Sequence, residues 1–251
     1  MKAYIEHEDK RYKVDLSKPI DISYPLVPGN DLPKCFWAPN VEAEPVRANS
    51  FVGSTAEGGV VNFYDVKLNP HGNGTHTECV GHIAKVQHSV QDSLDKFHFI
   101  AKLISVTPRK ADNGDLVIKA DQISELLGDE SYDALIIRTL PNAIESKKID
   151  YSETNPPYID SACMPLIVTK GIQHLLIDLP SVDRESDEGK LAAHHAYWNY
   201  PKIEHDKKTI TELVYIDNMY VDGLYLLEMQ VAPLVMDASP SRPVIYQLQI
   251  L

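Results

Sequence analysis

The sequence predicts an α/β fold, a mixed sheet with flanking helices, and three observations carry that reading. Residues 133–139 and 174–178 are apolar at successive positions, as strands buried on both faces of a sheet must be. Between them, residues 161–170 suit a helix that Gly171 stops, so the order is strand, helix, strand, the repeating unit of a sheet with parallel members. Residues 224–234 and 243–251 alternate apolar with polar side chains, as strands do.

Taken in order, residues 4–6 and 12–15 flank a charged turn and predict a hairpin, an N-terminal arm of about residues 1–16. Residues 21–30 read Asp21-Ile22-Ser23-Tyr24-Pro25-Leu26-Val27-Pro28-Gly29-Asn30. They must be extended and turning, because each proline removes a donor and biases its predecessor away from helix. Residues 61–68 form a strand candidate running into a histidine-rich stretch, and 102–106 form another. Asp121 can cap a short helix over 122–127 that Gly128 ends, and Ser161 can cap the helix that follows. No repeat, low-complexity segment or composition shift divides the chain, so residues 1–251 are expected to form a single domain.

With 43% hydrophobic residues, 251 residues suffice for a full core. A formal net charge of −12 argues against nucleic acid or an anionic membrane as partner, since both would repel the chain. The expected partners are a small-molecule substrate and further copies of the chain, as a homodimer or higher homo-oligomer. Cys35, Cys79 and Cys163 are odd in number and irregular in spacing, which implies no disulfide framework. The first residues are charged and lack the apolar core of a signal peptide, and no run approaches the roughly 20 apolar residues of a membrane helix. A soluble cytoplasmic protein is expected.

The chemistry concentrates in Asn69-Pro70-His71-Gly72-Asn73-Gly74-Thr75-His76-Thr77-Glu78-Cys79-Val80-Gly81-His82. Glycines and a proline among the imidazoles favour extended or turning backbone over helix. In extended backbone His76 and Glu78 project to one face while Thr77 and Cys79 point away, a geometry suited to chelation. Imidazole nitrogen and carboxylate oxygen suit zinc or manganese, and a carboxylate using both oxygens can bridge two ions. Any one of these histidines taken alone would more simply bond backbone in a glycine-rich loop. Their clustering favours a metal. His88 and His98 lie among polar residues with no partner pattern and are read as surface or loop positions.

The run Gly74-Thr75-His76-Thr77-Glu78-Cys79-Val80-Gly81-His82 resembles the signature His-x-Gly-Thr-His-x-Asp-x-Pro-x-His of the metal-dependent cyclase/hydrolase family that includes bacterial kynurenine formamidase. Glu78 stands where the family usually has Asp, and Val80 where it has Pro. His71 lies one residue further from His76 than the family spacing, with Gly72 in the register position. A Gly72 bulge would absorb the extra residue, and Asn73 is a weaker stand-in donor. Residues 21–30 resemble the family's opening segment, which often carries a pocket-lining aromatic where this chain has Val27. Phe36 or Trp37 would then supply that wall, although the plainer reading of both is core packing.

Three later segments extend the resemblance. Asp178-Leu179-Pro180-Ser181-Val182-Asp183 is similar to the family's Asp-x-Pro-Ser-Val-Asp run, whose carboxylates can orient metal ligands without touching the metal. An ordinary turn with N-cap roles for Ser181 and Asp183 explains it equally well. Residues 191–198 resemble the second histidine segment, which selects His194 over His195, and residues 210–216 resemble the segment in which a glutamate, here Glu212, precedes an apolar strand. The longer 199–209 connection would reshape the pocket.

The resemblance implies the swivelling β/β/α cyclase-like fold with one or two zinc or manganese ions. His71, His76, Glu78, His194 and Glu212 would be the ligands, and His82 the acid/base that hands a proton to a departing nitrogen after metal-bound hydroxide attacks a carbonyl. The expected activity is hydrolysis of a small amide, formamide or cyclic amide. The rivals are a non-enzymatic small-molecule binding protein on the same fold and a single-metal lyase or dehydratase.

Overall fold

Four parallel strands, His98–Val106, Ala134–Thr139, His174–Ile177 and Thr209–Glu212, run side by side through the middle of the molecule. The structure is a computed structural model that describes all residues except 30–32, 143–148 and 203–206. Antiparallel strands extend the row on both sides. Beyond Thr209–Glu212 come His76–Cys79 and then Ala238–Pro240. Beyond His98–Val106 come Gly223–Glu228, Val244–Ile250 and the Lys2–His7/Lys10–Asp15 hairpin, giving a mixed sheet of 11 strands that includes a short Ile20–Asp21 edge piece.

The successive apolar residues of the central strands serve two cores. Leu135, Ile137, Leu175 and Ile177 pack under the helices Ala120–Leu127, Met164–Thr169 and Ala192–Trp198. Ala134, Ile136 and Leu176 meet Ile22, Val214, Tyr225 and Ile245 on the opposite face. Burial of each such large side chain contributes roughly 1.5–3 kcal/mol, so the doubly apolar pattern fixes the middle of the sheet. Among the described residues no helix is long and apolar enough to cross a membrane.

Several local expectations shift. The strand expected at 61–68 is Tyr64–Lys67, exposed throughout and paired with Glu42–Pro45 in a ribbon outside the large sheet. It therefore does not lead into the histidines as a core strand; Lys67 instead meets Glu42 across the ribbon at 3.6 Å. The helix read from Asp121 begins at Ala120 after Lys119, whose backbone N–H is taken by Gln122 Oε1 at 3.0 Å. Asp121 sits in the first turn and pairs with Arg109, a position the helix dipole favours in any case. Asp160 rather than Ser161 caps the next helical segment, its carboxylate accepting from Ala162 N–H at 3.1 Å. Gly171 closes that segment in the left-handed region, at φ 88°.

Candidate metal centre

The buried strand His76–Cys79 is the platform of the site. Opposite Glu212 in register stands His76, and opposite Ile210 stands Glu78, so His76, Glu78 and Glu212 share one face. Thr77 and Thr211 point to the other face, where their hydroxyls bond at 2.8 Å. The helix Ala192–Trp198 packs on the ligand side and lowers His194 onto Glu78. Glu212 ends its strand instead of preceding one, and the chain turns at once through Leu213, held at φ 54°. The Leu213 carbonyl accepts the Thr75 hydroxyl, which ties the two ligand strands together just beside their carboxylate and imidazole.

The one-residue offset of His71 is absorbed by a turn, not by a strand bulge. Asn69 O accepts from Gly72 N–H at 3.2 Å and from Asn73 N–H at 3.0 Å, while Asn69 Oδ1 accepts from His71 N–H at 3.0 Å. Gly72 is needed there because a Cβ would lie 2.3 Å from Ala38 Cβ. Gly74 turns the chain into the strand at φ 64°. Asn73 is no stand-in donor: its Oδ1 accepts from Asn69 N–H at 2.7 Å and its Nδ2 donates to Pro39 O at 2.9 Å.

These paths bring His71, His76, Glu78, His82, His194 and Glu212 together. Glu78, buried, divides its oxygens: Oε1 lies 3.1 Å from His194 Nε2 and Oε2 lies 3.1 Å from His71 Nδ1. His82 Nδ1 is 3.8 Å from Glu78 Oε2, and His76 Nε2 is 3.4 Å from Glu212 Oε2. Burial opposes charge on His71 and His194, yet the carboxylates around them raise His71 to about 9 and His194 to about 10. Burial likewise opposes ionisation of Glu78, but His82, His194 and His71 hold its carboxyl well below the usual range. His195 faces elsewhere, Nδ1 3.5 Å from Tyr200 O.

Above the cluster opens a cavity of about 480 Å³, reached by His71, Glu78, His82, His194 and Glu212. Phe36 and Trp37 form part of its wall rather than the core; Trp37 is 63% exposed. Both adopt left-handed backbone, at φ 54° and 53°, which costs roughly 1–2 kcal/mol per residue. The turn is held at its ends by Cys35 O accepting from Ala38 N–H and by Ser152 Oγ accepting from Trp37 N–H at 2.9 Å. Val27, the family's aromatic position, is half exposed and does not line this cavity. Of the 199–209 connection, residues 203–206 lie outside the described residues.

Two carboxylates complete the picture. Asp183 accepts from His194 Nδ1 at 2.6 Å and from the backbone N–H of Ala193 and His194, so its segment does orient a neighbour of Glu78. Asp237 was not legible: it lies 166 residues beyond His71, in no recognisable motif, yet its Oδ2 is 2.8 Å from His71 Nε2. His82 and then His71 hold the Asp237 carboxyl down at about 2.

This donor set fits a divalent cation. Among the described residues His76 Nε2 is buried with no hydrogen-bond partner, aimed toward the Glu212 carboxylate. The ligand atoms of His71, His76 and Glu78, and separately those of Glu78, His82 and His194, lie within 4.8 Å of one another. All are nitrogen or oxygen, as zinc and manganese accept.

Fold and site together define a class: a mixed α/β protein with a buried histidine and carboxylate centre at the floor of a cavity. The family model named Cyclase, described as "Putative cyclase", matches residues 14–184, and the chain belongs to that family. No curated protein matches the sequence. Among solved structures, a "potential metal-dependent hydrolase with cyclase activity" superposes with a TM-score of 0.65 at 18% identity, over 91% of this chain and 97% of the other. A "predicted metal-dependent hydrolase" from Bacillus stearothermophilus gives 0.62 at 16% identity, over 91% and 98%. Isatin hydrolase A from Labrenzia aggregata gives 0.64 at 14% identity, over 91% and 93%.

Proposed function

We propose that the protein is a metal-dependent hydrolase of a small amide, formamide or cyclic amide. The observation that carries this reading is Glu78, whose two oxygens face two different histidines as a bridging carboxylate requires. His71, His76, Glu78, His194 and Glu212 would hold zinc or manganese, in one or two ions. A bound ion of this kind polarises a carbonyl and brings the pKa of water down toward about 7.

The chain's own residues supply the rest. His82, about 30% exposed at the cavity floor, is free to carry a proton to the departing nitrogen. Asp183 fixes the ring of His194 through Nδ1 and keeps Nε2 turned inward. The charged groups of the cavity wall outside the cluster have partners, Glu188 pairing with Lys190 at 3.1 Å. Arg184 is taken by Asp115 and Ser186 O, Glu185 by the backbone N–H of Glu153 and Asn155, and Asp187 by the N–H groups of Gly189, Lys190 and Leu191. Phe36, Trp37 and Leu191 are left as contact surface, which favours an uncharged substrate with a flat apolar face. The likeness to isatin hydrolase A supports the ring-amide branch, isatin being a cyclic amide.

The test is a screen of formyl, cyclic and carbamoyl amides on protein stripped of metal and reloaded with zinc or manganese, run in oxygen-18 water. Metal-dependent turnover with label in the acid product is expected. Full activity without metal, or an unlabelled product from elimination, would end the hydrolase reading, and binding without turnover would leave a binding protein.

A further inference from the structure

Three of the imidazoles that face the carboxylates of the centre, those of His71, His76 and His194, are each engaged from outside through one nitrogen. His76 Nδ1 lies 3.0 Å from Gly74 O, with Nε2 turned inward. His194 Nδ1 lies 2.6 Å from Asp183 Oδ2, with Nε2 turned to Glu78. In His71 the roles are exchanged: Nε2 lies 2.8 Å from Asp237 Oδ2, and Nδ1 is the nitrogen 3.1 Å from Glu78.

We infer that Asp237 is the positioning residue that lets His71 serve from a place one residue out of register, and that His71 binds the cation through Nδ1 while His76 and His194 use Nε2. A neutral imidazole carries one N–H, and an acceptor on Nε2 keeps the proton there and leaves the Nδ1 lone pair facing Glu78. Nδ1 is also the nitrogen nearer the backbone, so the ring enters the cluster by its other edge, which accommodates the offset made by the Asn69 turn. Asp237 is anchored for this task, since its carbonyl accepts from Cys79 N–H at 2.9 Å on the ligand strand itself. Its oxygen is 3.8 Å from His82 Nδ1 against 2.8 Å from His71 Nε2, so of the two rings His71 is the hydrogen-bonded partner and His82 a close charge neighbour. The inference rests on the metal-dependent reading above.

The experiment uses the full chain, stripped of metal and titrated with zinc against a chromophoric chelator, together with nitrogen-15 NMR of the histidine rings in the zinc-loaded protein. In the wild type the His71 proton is expected on Nε2 and the zinc shift on Nδ1, the reverse of His76 and His194. Asp237→Ala is expected to weaken zinc binding about 10- to 100-fold, and Asp237→Asn, which keeps an acceptor oxygen, to recover most of that loss. Zinc affinity within about twofold of wild type in Asp237→Ala, or His71 bound through Nε2, overturns the inference while leaving the metal-dependent reading intact. Wild-type protein that takes up no zinc overturns both. If Asp237→Ala does not fold, the wild-type ring tautomer and the Asp237→Asn affinity decide.

Discussion

Asp183 grips His194 at two points and its neighbour Ala193 at a third: Oδ1 accepts from Ala193 N–H at 2.8 Å, while Oδ2 accepts from His194 N–H at 3.1 Å and faces its Nδ1 at 2.6 Å. Ring and helix start are thereby fixed by one carboxylate, and the ring is left facing Glu78. Without metal this arrangement favours the charged imidazole, with His194 raised to about 10 and His71 to about 9. Both pKa values lie above the ordinary histidine value of 6.5, so the stability these pairs contribute is complete below that value. It is lost as pH rises through 9 and 10. At pH 7 both rings therefore hold a proton that a cation must displace. Zinc binding at pH 7 is expected to release about two protons per chain, measured by calorimetry in buffers of different ionisation enthalpy, and affinity should fall as pH is lowered. Binding that releases no protons would mean that these two rings are already neutral at pH 7 or are not ligands.

Among the described residues His82 has no carboxylate oxygen nearer than 3.8 Å, its distance from both Glu78 and Asp237, whereas His71 and His194 each have two within 3.1 Å. On the proposed reading this ring moves a proton rather than holding an ion. His82→Gln is expected to lower kcat by about 100-fold or more with zinc content unchanged by elemental analysis. Loss of zinc in this variant would make His82 a ligand.

How much of this was legible in the sequence follows from how local each feature is. The doubly apolar 133–139 and 174–178 runs announced the central strands because burial on both faces leaves a direct mark on composition. The inward pairing of His76 with Glu78 needed only the alternation of a strand. Asp237 had no such mark, because its place beside His71 comes from the pairing of Ala238–Pro240 with His76–Cys79, a long-range contact that no spacing rule encodes. The helix starts at 120 and 161 were displaced, by two residues and by one, because neighbouring groups compete to cap the same N–H groups, and sequence alone does not rank Asp160 over Ser161 once the turn is formed. Residues 61–68 include Val61, Phe63, Tyr64, Val66 and Leu68, types that favour strands, but the strand that forms, Tyr64–Lys67, is exposed throughout.

Gly72 offers a test of the turn that carries His71. A methyl group there would meet Ala38 Cβ at 2.3 Å and Cys35 O at 3.1 Å, so the turn or the Phe36–Trp37 segment must move. Gly72→Ala is expected to cost about 1–3 kcal/mol of stability, as overpacking does, read from urea midpoints, and to weaken zinc binding through displacement of His71. Unchanged stability and affinity would show that the two segments do not constrain each other.

Asp178 gives a pH dependence separate from the metal centre. Its Oδ2 accepts from Thr139 N–H at 2.7 Å, but Oδ1 is buried without a hydrogen-bond partner among the described residues. Burial therefore pushes the carboxyl up from 3.8 to about 7, against the Thr139 bond that favours ionisation. A folded-state pKa above the unfolded one means that the native protein holds a proton the unfolded chain has released. Stability from this group is then complete below about pH 4 and is lost as pH rises toward 7. A gap of about three pH units corresponds to about 4 kcal/mol at most. Asp178→Asn resembles the neutral acid and cannot ionise, so the metal-free variant should be nearly matched to wild type at pH 4 and more stable than it at pH 8. Urea unfolding of both proteins across that range measures the difference, and parallel curves would show that Asp178 ionises in the folded chain as easily as in water.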